Sequence, residues 1–104
     1  MDNIPTAHQK FKDNYPEIFL AYENLGKAVH ELGALDEKTR ALIKLAISTG
    51  AKLEGAIHSH TKKAINLGLS PEEIRQTILL ALPTIGLPST IAAMSWVDDI
   101  LENK

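Results

Sequence analysis

Residues 67–83 read LGLSPEEIRQTILLALP, and they hold one helix end, one helix start and one helix stop. Gly68 can adopt the left-handed conformation that closes a helix. Ser70 can accept a hydrogen bond from a backbone amide three residues on, and Glu73 can reach back to the Ser70 amide, which is a capping box. Pro71 falls at the first helical position, where its missing N–H has no helical partner to lose. The run Ile74, Ile78, Leu79, Leu80, Ala81 and Leu82 then supplies an apolar face. Pro83 removes a helical hydrogen bond and is expected to kink or end the helix.

The same reading extends in both directions. Upstream, Lys52 to Leu67 is expected to be helical, with Leu53, Ala56, Ile57, Ala64, Ile65 and Leu67 as its apolar positions. Before it, Asp36 is placed to cap a helix with Glu37 in its first turn. That helix carries Leu42, Ile43, Leu45, Ala46 and Ile47, and Gly50 interrupts its pattern. Its second half is so apolar that most of its sides must be covered. Further upstream, Pro16 opens a helix whose Ile18, Phe19, Tyr22, Leu25, Val29 and Leu32 recur at helical spacing, and Gly33 is placed to end it. A short helical turn is expected at 6–13. Downstream, Gly86 and Pro88 lead into a last helix from about Ser89 to Leu101, with Ile91, Met94, Val97, Ile100 and Leu101. No segment alternates with period two, and no Asn-Gly or Asp-Gly turn occurs. The expectation is an all-α compact bundle of five to six helices, one domain spanning 1–104.

Composition narrows the function. The chain has 104 residues, 44% hydrophobic and 23% charged, with a formal net charge of −2. Such a balance offers no electrostatic footprint for nucleic acid. No apolar run reaches the roughly 18 residues of a membrane span. The opening MDNIPTAHQKFKDNYPE lacks the apolar core of a signal peptide. A cytoplasmic protein with neither nucleic acid nor membrane as partner is expected. Cysteine is absent altogether.

The densest polar group within an apolar element is Glu54, His58, Ser59 and His60. Glu54 and His58 lie four apart and share a helix face, where they can hydrogen-bond or jointly hold a metal. A third ligand is not evident nearby in sequence, so no metal is assigned from spacing. His58 and His60 diverge by about 200° around a helix. One of them facing the core or an interface and the other facing water would explain both without any chemistry. His60 has the better claim to function. Leu53, Ala56, His60, Ala64 and Leu67 fall on one stripe, and an apolar setting tunes an imidazole toward general acid–base work. Arg40 and Lys44 are expected on a solvated face, Lys62 and Lys63 beside the end of their helix, and His8 and His30 on the surface.

At these residues the chain resembles a known family. Residues 35–88, LDEKTRALIKLAISTGAKLEGAIHSHTKKAINLGLSPEEIRQTILLALPTIGLP, are similar to the carboxymuconolactone decarboxylase family, which includes the alkylhydroperoxidase D-like proteins. The likeness rests on the LDEKTR helix start, on HTKKAINLGLSPEEI, and on the apolar helix with a proline-containing exit. It implies the family's helical fold and assembly as a homotrimer or homohexamer. The peroxidase branch uses a Cys-x-x-Cys pair, a histidine four residues later and a relay glutamate. Aligned on His60, those other positions are Leu53, Ala56 and Ala41, so only the histidine is kept. Thiol peroxidase activity is therefore not expected, since leucine and alanine cannot replace a thiolate.

The decarboxylase branch lacks the cysteine pair as a rule, and the sequence looks closer to it. That resemblance implies a cofactor-free lyase acting on a small carboxylated lactone or related acid. In this reading His60 is the candidate proton donor, His58 and Glu54 stand nearby, and Arg40 anchors the substrate. The other reading is a non-catalytic family member, an oligomer that binds a ligand or a partner.

Overall fold

The computed structural model describes residues 6–102, and no strand occurs among the described residues. Six helices of eight residues or more are joined by short turns: α1 (Ala7–Asn14), α2 (Pro16–His30), α3 (Glu37–Gly50), α4 (Glu54–Asn66), α5 (Pro71–Leu79) and, after the single turn α6 (Leu82–Ile85), α7 (Leu87–Leu101). This is the all-α bundle expected from the sequence. The chain divides into two compact units, Met1–Ala34 and Leu35–Lys104.

In the first unit, the Thr6 hydroxyl accepts from the Gln9 amide at 3.1 Å and starts α1 where a short turn was expected. Phe19 on α2 is buried, and its ring meets that of His8 edge-on at 5.1 Å. Ile18, Tyr22, Leu25 and Val29 of the same helix stay exposed. Helix α2 ends at His30, and Gly33 follows in the turn with φ +80°.

The second unit is built on an α3–α4 hairpin. The Asp36 carboxylate accepts from the Thr39 amide at 2.8 Å and caps α3 as its residue type requires. Helix α3 ends at Gly50, where its pattern is interrupted, and α4 begins at Glu54 rather than at Lys52. The Lys52 amide bonds the Thr49 carbonyl at 3.1 Å and the Leu53 amide bonds the Ser48 carbonyl at 3.0 Å. This pair of bonds is a Schellman motif, and it puts the left-handed conformation on Lys52, with φ 60°. The end of α4 repeats the motif. There the Gly68 amide bonds Ile65 at 2.9 Å, the Leu69 amide bonds Ala64 at 3.0 Å, and Gly68 takes φ +88°.

Ser70 and Glu73 form the expected capping box, with bonds of 3.0 and 2.8 Å. Pro83 acts as a stop: α5 ends at Leu79, and Pro83 is tolerated only in the first turn of α6. The last helix starts at Leu87, two residues before Ser89, because Pro88 also fits a first turn.

The core of the second unit draws one stripe from each of its long helices: Ala41 and Leu45 of α3, Ile57 and Ala64 of α4, Ile74 and Ile78 of α5, Ala93 and Val97 of α7, closed by Leu69. Four hydroxyls are buried with them, Ser48, Thr49, Thr61 and Thr90. Each donates to the carbonyl four residues back, at 2.7–2.9 Å, so none is left without a partner. That bond is what lets a polar side chain join the core without a desolvation penalty.

Candidate functional site

Helix α4 carries its chemistry on two flanks. Ile57 is fully buried and fixes the rotation of the helix. With 3.6 residues per turn, His58 then falls on one side of the core stripe and His60 on the other.

The His60 flank faces α3. His60 lies at the edge of the core rather than in its middle, because Ile57 and Thr61 take the interior beside it; of the expected stripe only Ala64 is fully buried. Leu53 lies outside the helix and is exposed, whereas Ala56 and His60 are half-buried. Burial, followed by the ammonium groups of Lys63 and Lys44, lowers the His60 pKa from its ordinary value. Lys44 and Arg40 are half-buried, not on the solvated face expected for them. Burial also lowers the Lys44 pKa, and the charges of Lys63 and Arg40 add to the effect. Arg40 donates from Nη1 to the Leu35 carbonyl at 2.6 Å, which ties its guanidinium to the chain entering α3. The cationic groups of two helices thus act on one half-buried imidazole.

The His58 flank faces α7. His58 Nε2 lies 3.0 Å from Asp99 Oδ2. Glu54, one turn before His58, brings a carboxylate to the same place, and the ligand atoms of Glu54, His58 and Asp99 lie within 4.8 Å of one another. Next to them, Arg75 of α5 holds Asp98 through Nε at 3.1 Å and Nη2 at 2.9 Å, and reaches Glu102 at 3.3 Å. The structure therefore joins Glu54 with His58, as their spacing foretold, and sets His60 apart from both.

Asp99 escaped the sequence reading, since it stands 41 residues from His58. Its only signal was the pair Asp98–Asp99 inside an otherwise apolar helix. The sequence places Lys44 on a solvated face because its approach to His60 depends on the α3–α4 pairing, whereas Lys63 stands exposed in the last turn of α4, as expected. Of the two histidines expected on the surface, His8 is exposed and His30 is half-buried.

The fold agrees with comparisons across known proteins. Residues 16–99 match the carboxymuconolactone decarboxylase family, and the chain belongs to that family. An uncharacterised protein of Methanocaldococcus jannaschii is 36% identical over 91 residues, which is 88% of this chain and 82% of that protein. A nitrosuccinic acid decarboxylase of Metarhizium robertsii is 42% identical over 60 residues, 58% of this chain and 42% of its own length. The crystal structure of an apo carboxymuconolactone decarboxylase family protein from Legionella pneumophila superposes with a TM-score of 0.79 at 30% identity, covering 89% of this chain and 83% of that one. With no cysteine, the chain brings no thiolate of its own to peroxide chemistry. No helix among the described residues is long and apolar enough to cross a membrane.

Proposed function

We propose that this protein is a cofactor-free decarboxylase of a small acid whose carboxylate sits beside an electron-withdrawing group, a carboxylated lactone or a related acid. The observation that carries the reading is the half-buried place of His60 on α4, where burial first and then the charges of Lys63 and Lys44 disfavour its protonated form. Like charges gathered at the edge of an apolar core favour an anion between them. A substrate carboxylate is such an anion, and it would also favour the imidazolium form of His60. Arg40, with one N–H committed to Leu35, keeps other donors of its fork for a second carboxylate or a lactone oxygen.

The step balances without a cofactor. The bond between the substrate carbon and its carboxylate breaks heterolytically, and the electron pair passes into the adjacent acceptor group. Carbon dioxide leaves, and the His60 imidazolium gives its proton to the carbon or to the conjugated acceptor. Solvent then returns a proton to His60, so each turnover consumes one. Proton delivery of this kind is worth roughly 10²–10⁴ in rate. His58 and Glu54 stand on the other flank of α4, so the transfer is assigned to His60. The relative named as a nitrosuccinic acid decarboxylase supports the chemistry, since a nitro group and a lactone carbonyl are both electron sinks.

The test follows carbon dioxide release from carboxylated lactones and nitro-substituted diacids, with chelator present. Turnover that falls roughly 100-fold or more in His60→Ala is expected. Turnover that survives in His60→Ala would remove the histidine from the mechanism. Absence of turnover on every acid of the class would favour the ligand-binding reading instead.

We also propose self-association. Leu79, Leu80, Leu82, Ile85, Leu87 and Ile91 are all exposed, a density of apolar surface that a small helical chain ordinarily covers. A homotrimer or homohexamer is the expected state, and light scattering that finds a monomer at micromolar concentration would refute it.

A further inference from the structure

We propose that Glu54, His58 and Asp99 form a divalent-metal site on the α4–α7 flank, suited to a first-row transition ion such as Zn2+. Two elements converge there. Glu54 and His58 are one turn apart on α4, and Asp99 comes from α7. The three ligand atoms lie within 4.8 Å of one another, and the His58–Asp99 pair is already at 3.0 Å. An ion bound at about 2.0–2.2 Å to each ligand holds them roughly 3–3.5 Å apart, so closing the site takes a small inward movement. Glu54 and Asp99 are exposed, which leaves their rotamers able to make it.

The neighbours of the site favour this arrangement. Arg75 occupies Asp98 and reaches Glu102, so the adjacent arginine charge is committed to those two carboxylates. Asp99 is directed to His58 instead. Ile57, fully buried beside His58, fixes the imidazole's place on the helix. Two carboxylates drawn to one imidazole bring a negative charge that a cation offsets.

The donor set selects the metal. An imidazole nitrogen with two carboxylates suits Zn2+ or Mn2+ better than Mg2+ or Ca2+, which prefer an all-oxygen shell. Three protein ligands also leave a coordination position for water or a small anion.

The experiment is calorimetric titration of the full chain, stripped of metal, with Zn2+. One equivalent per chain is expected, together with a rise in the midpoint of thermal unfolding. His58→Gln and Asp99→Asn should each weaken binding by at least about 10-fold. His8→Gln, which alters an exposed histidine elsewhere, should leave it unchanged. Circular dichroism of the variants confirms that the fold persists, and a histidine-selective NMR spectrum should show the His58 signals moving on addition of Zn2+. The proposal is overturned if no stoichiometric binding occurs. It is equally overturned if binding persists undiminished in His58→Gln and Asp99→Asn.

Discussion

His60 and His58 are two residues apart on one helix, yet they live in opposite electrostatic surroundings. Lysines of α3 and α4 act on His60, whereas carboxylates of α4 and α7 gather at His58. The difference comes from geometry rather than from local sequence. An advance of two positions carries a side chain about 200° around a helix, so adjacent histidines report on different neighbouring helices. Residue type alone would have pooled them in one site.

Ile57 keeps the flanks apart, because its burial sets the rotation of α4. The largest expected effect is therefore Ile57→Ala. Removing a fully buried isoleucine should cost about 2–5 kcal/mol, measured by denaturant unfolding. Both flanks should loosen together. A variant that stayed within about 0.5 kcal/mol of the parent, what a surface change costs, would mean that Ile57 does not anchor the helix.

The next effect separates the flanks. Lys44→Ala should raise KM for an acid substrate by about 10-fold, the loss of one charge-assisted contact, while kcat changes less. Asp99→Asn, on the opposite flank, should change KM much less than Lys44→Ala does. Equal effects from the two substitutions would merge what the structure separates.

Local rules made much of the frame legible in the sequence. Ser70, Glu73 and Pro71 announced a helix start that the structure forms bond for bond. Asp36 did the same for α3. Pairings between distant helices were not legible, and both flanks depend on them. The spacing of Glu54 and His58 was readable, but Asp99 joins them only because α4 packs on α7. The stripe through His60 was readable too, although its depth was not, since Ile57 and Thr61 compete for the interior one step around the helix.

One boundary, the start of α4, lies two residues later than the sequence indicates. Gly50 is the last residue of α3, but the position that needs a positive φ is two residues on and holds Lys52. Gly68, at the equivalent position of α4, is the residue that geometry favours. Exchanging the residue types tests the contrast. Lys52→Gly should relieve about 1 kcal/mol of left-handed strain, partly offset by greater freedom of the unfolded chain. Gly68→Ala should destabilise by a similar amount. Space is not its obstacle, since the nearest atom to an added Cβ is Lys38 Nζ at 3.9 Å. Thermal midpoints shifting in opposite directions are expected, and a shift in the same direction would contradict the assignment of strain to φ.

The smallest effect concerns the anchoring of α3, the helix that supplies Lys44 to the His60 flank. The Asp36 carboxyl is held below its ordinary pKa chiefly by the hydrogen bond from the Thr39 amide, with Arg40 and Lys38 adding to the effect. The folded chain therefore binds this proton less readily than the unfolded chain does. The cap's contribution is complete above the ordinary value of 3.8 and is lost as pH falls through the lower, folded value. The Glu73 carboxyl follows the same sign at α5, with the Ser70 amide as the first cause and 4.5 as the ordinary value. Acid should thus weaken the starts of α3 and α5 while leaving the middle of α4 protected. Hydrogen exchange at the Thr39 and Ser70 amides, which donate to the two carboxylates, compared with Thr61 in the interior of α4, measures it. Asp36→Asn supplies the control, because asparagine caps a helix about as well and does not titrate in this range. In that variant the acid-dependent loss at Thr39 should disappear and that at Ser70 should remain. Persistence of the Thr39 loss in Asp36→Asn would place the acid sensitivity of α3 elsewhere than in its cap.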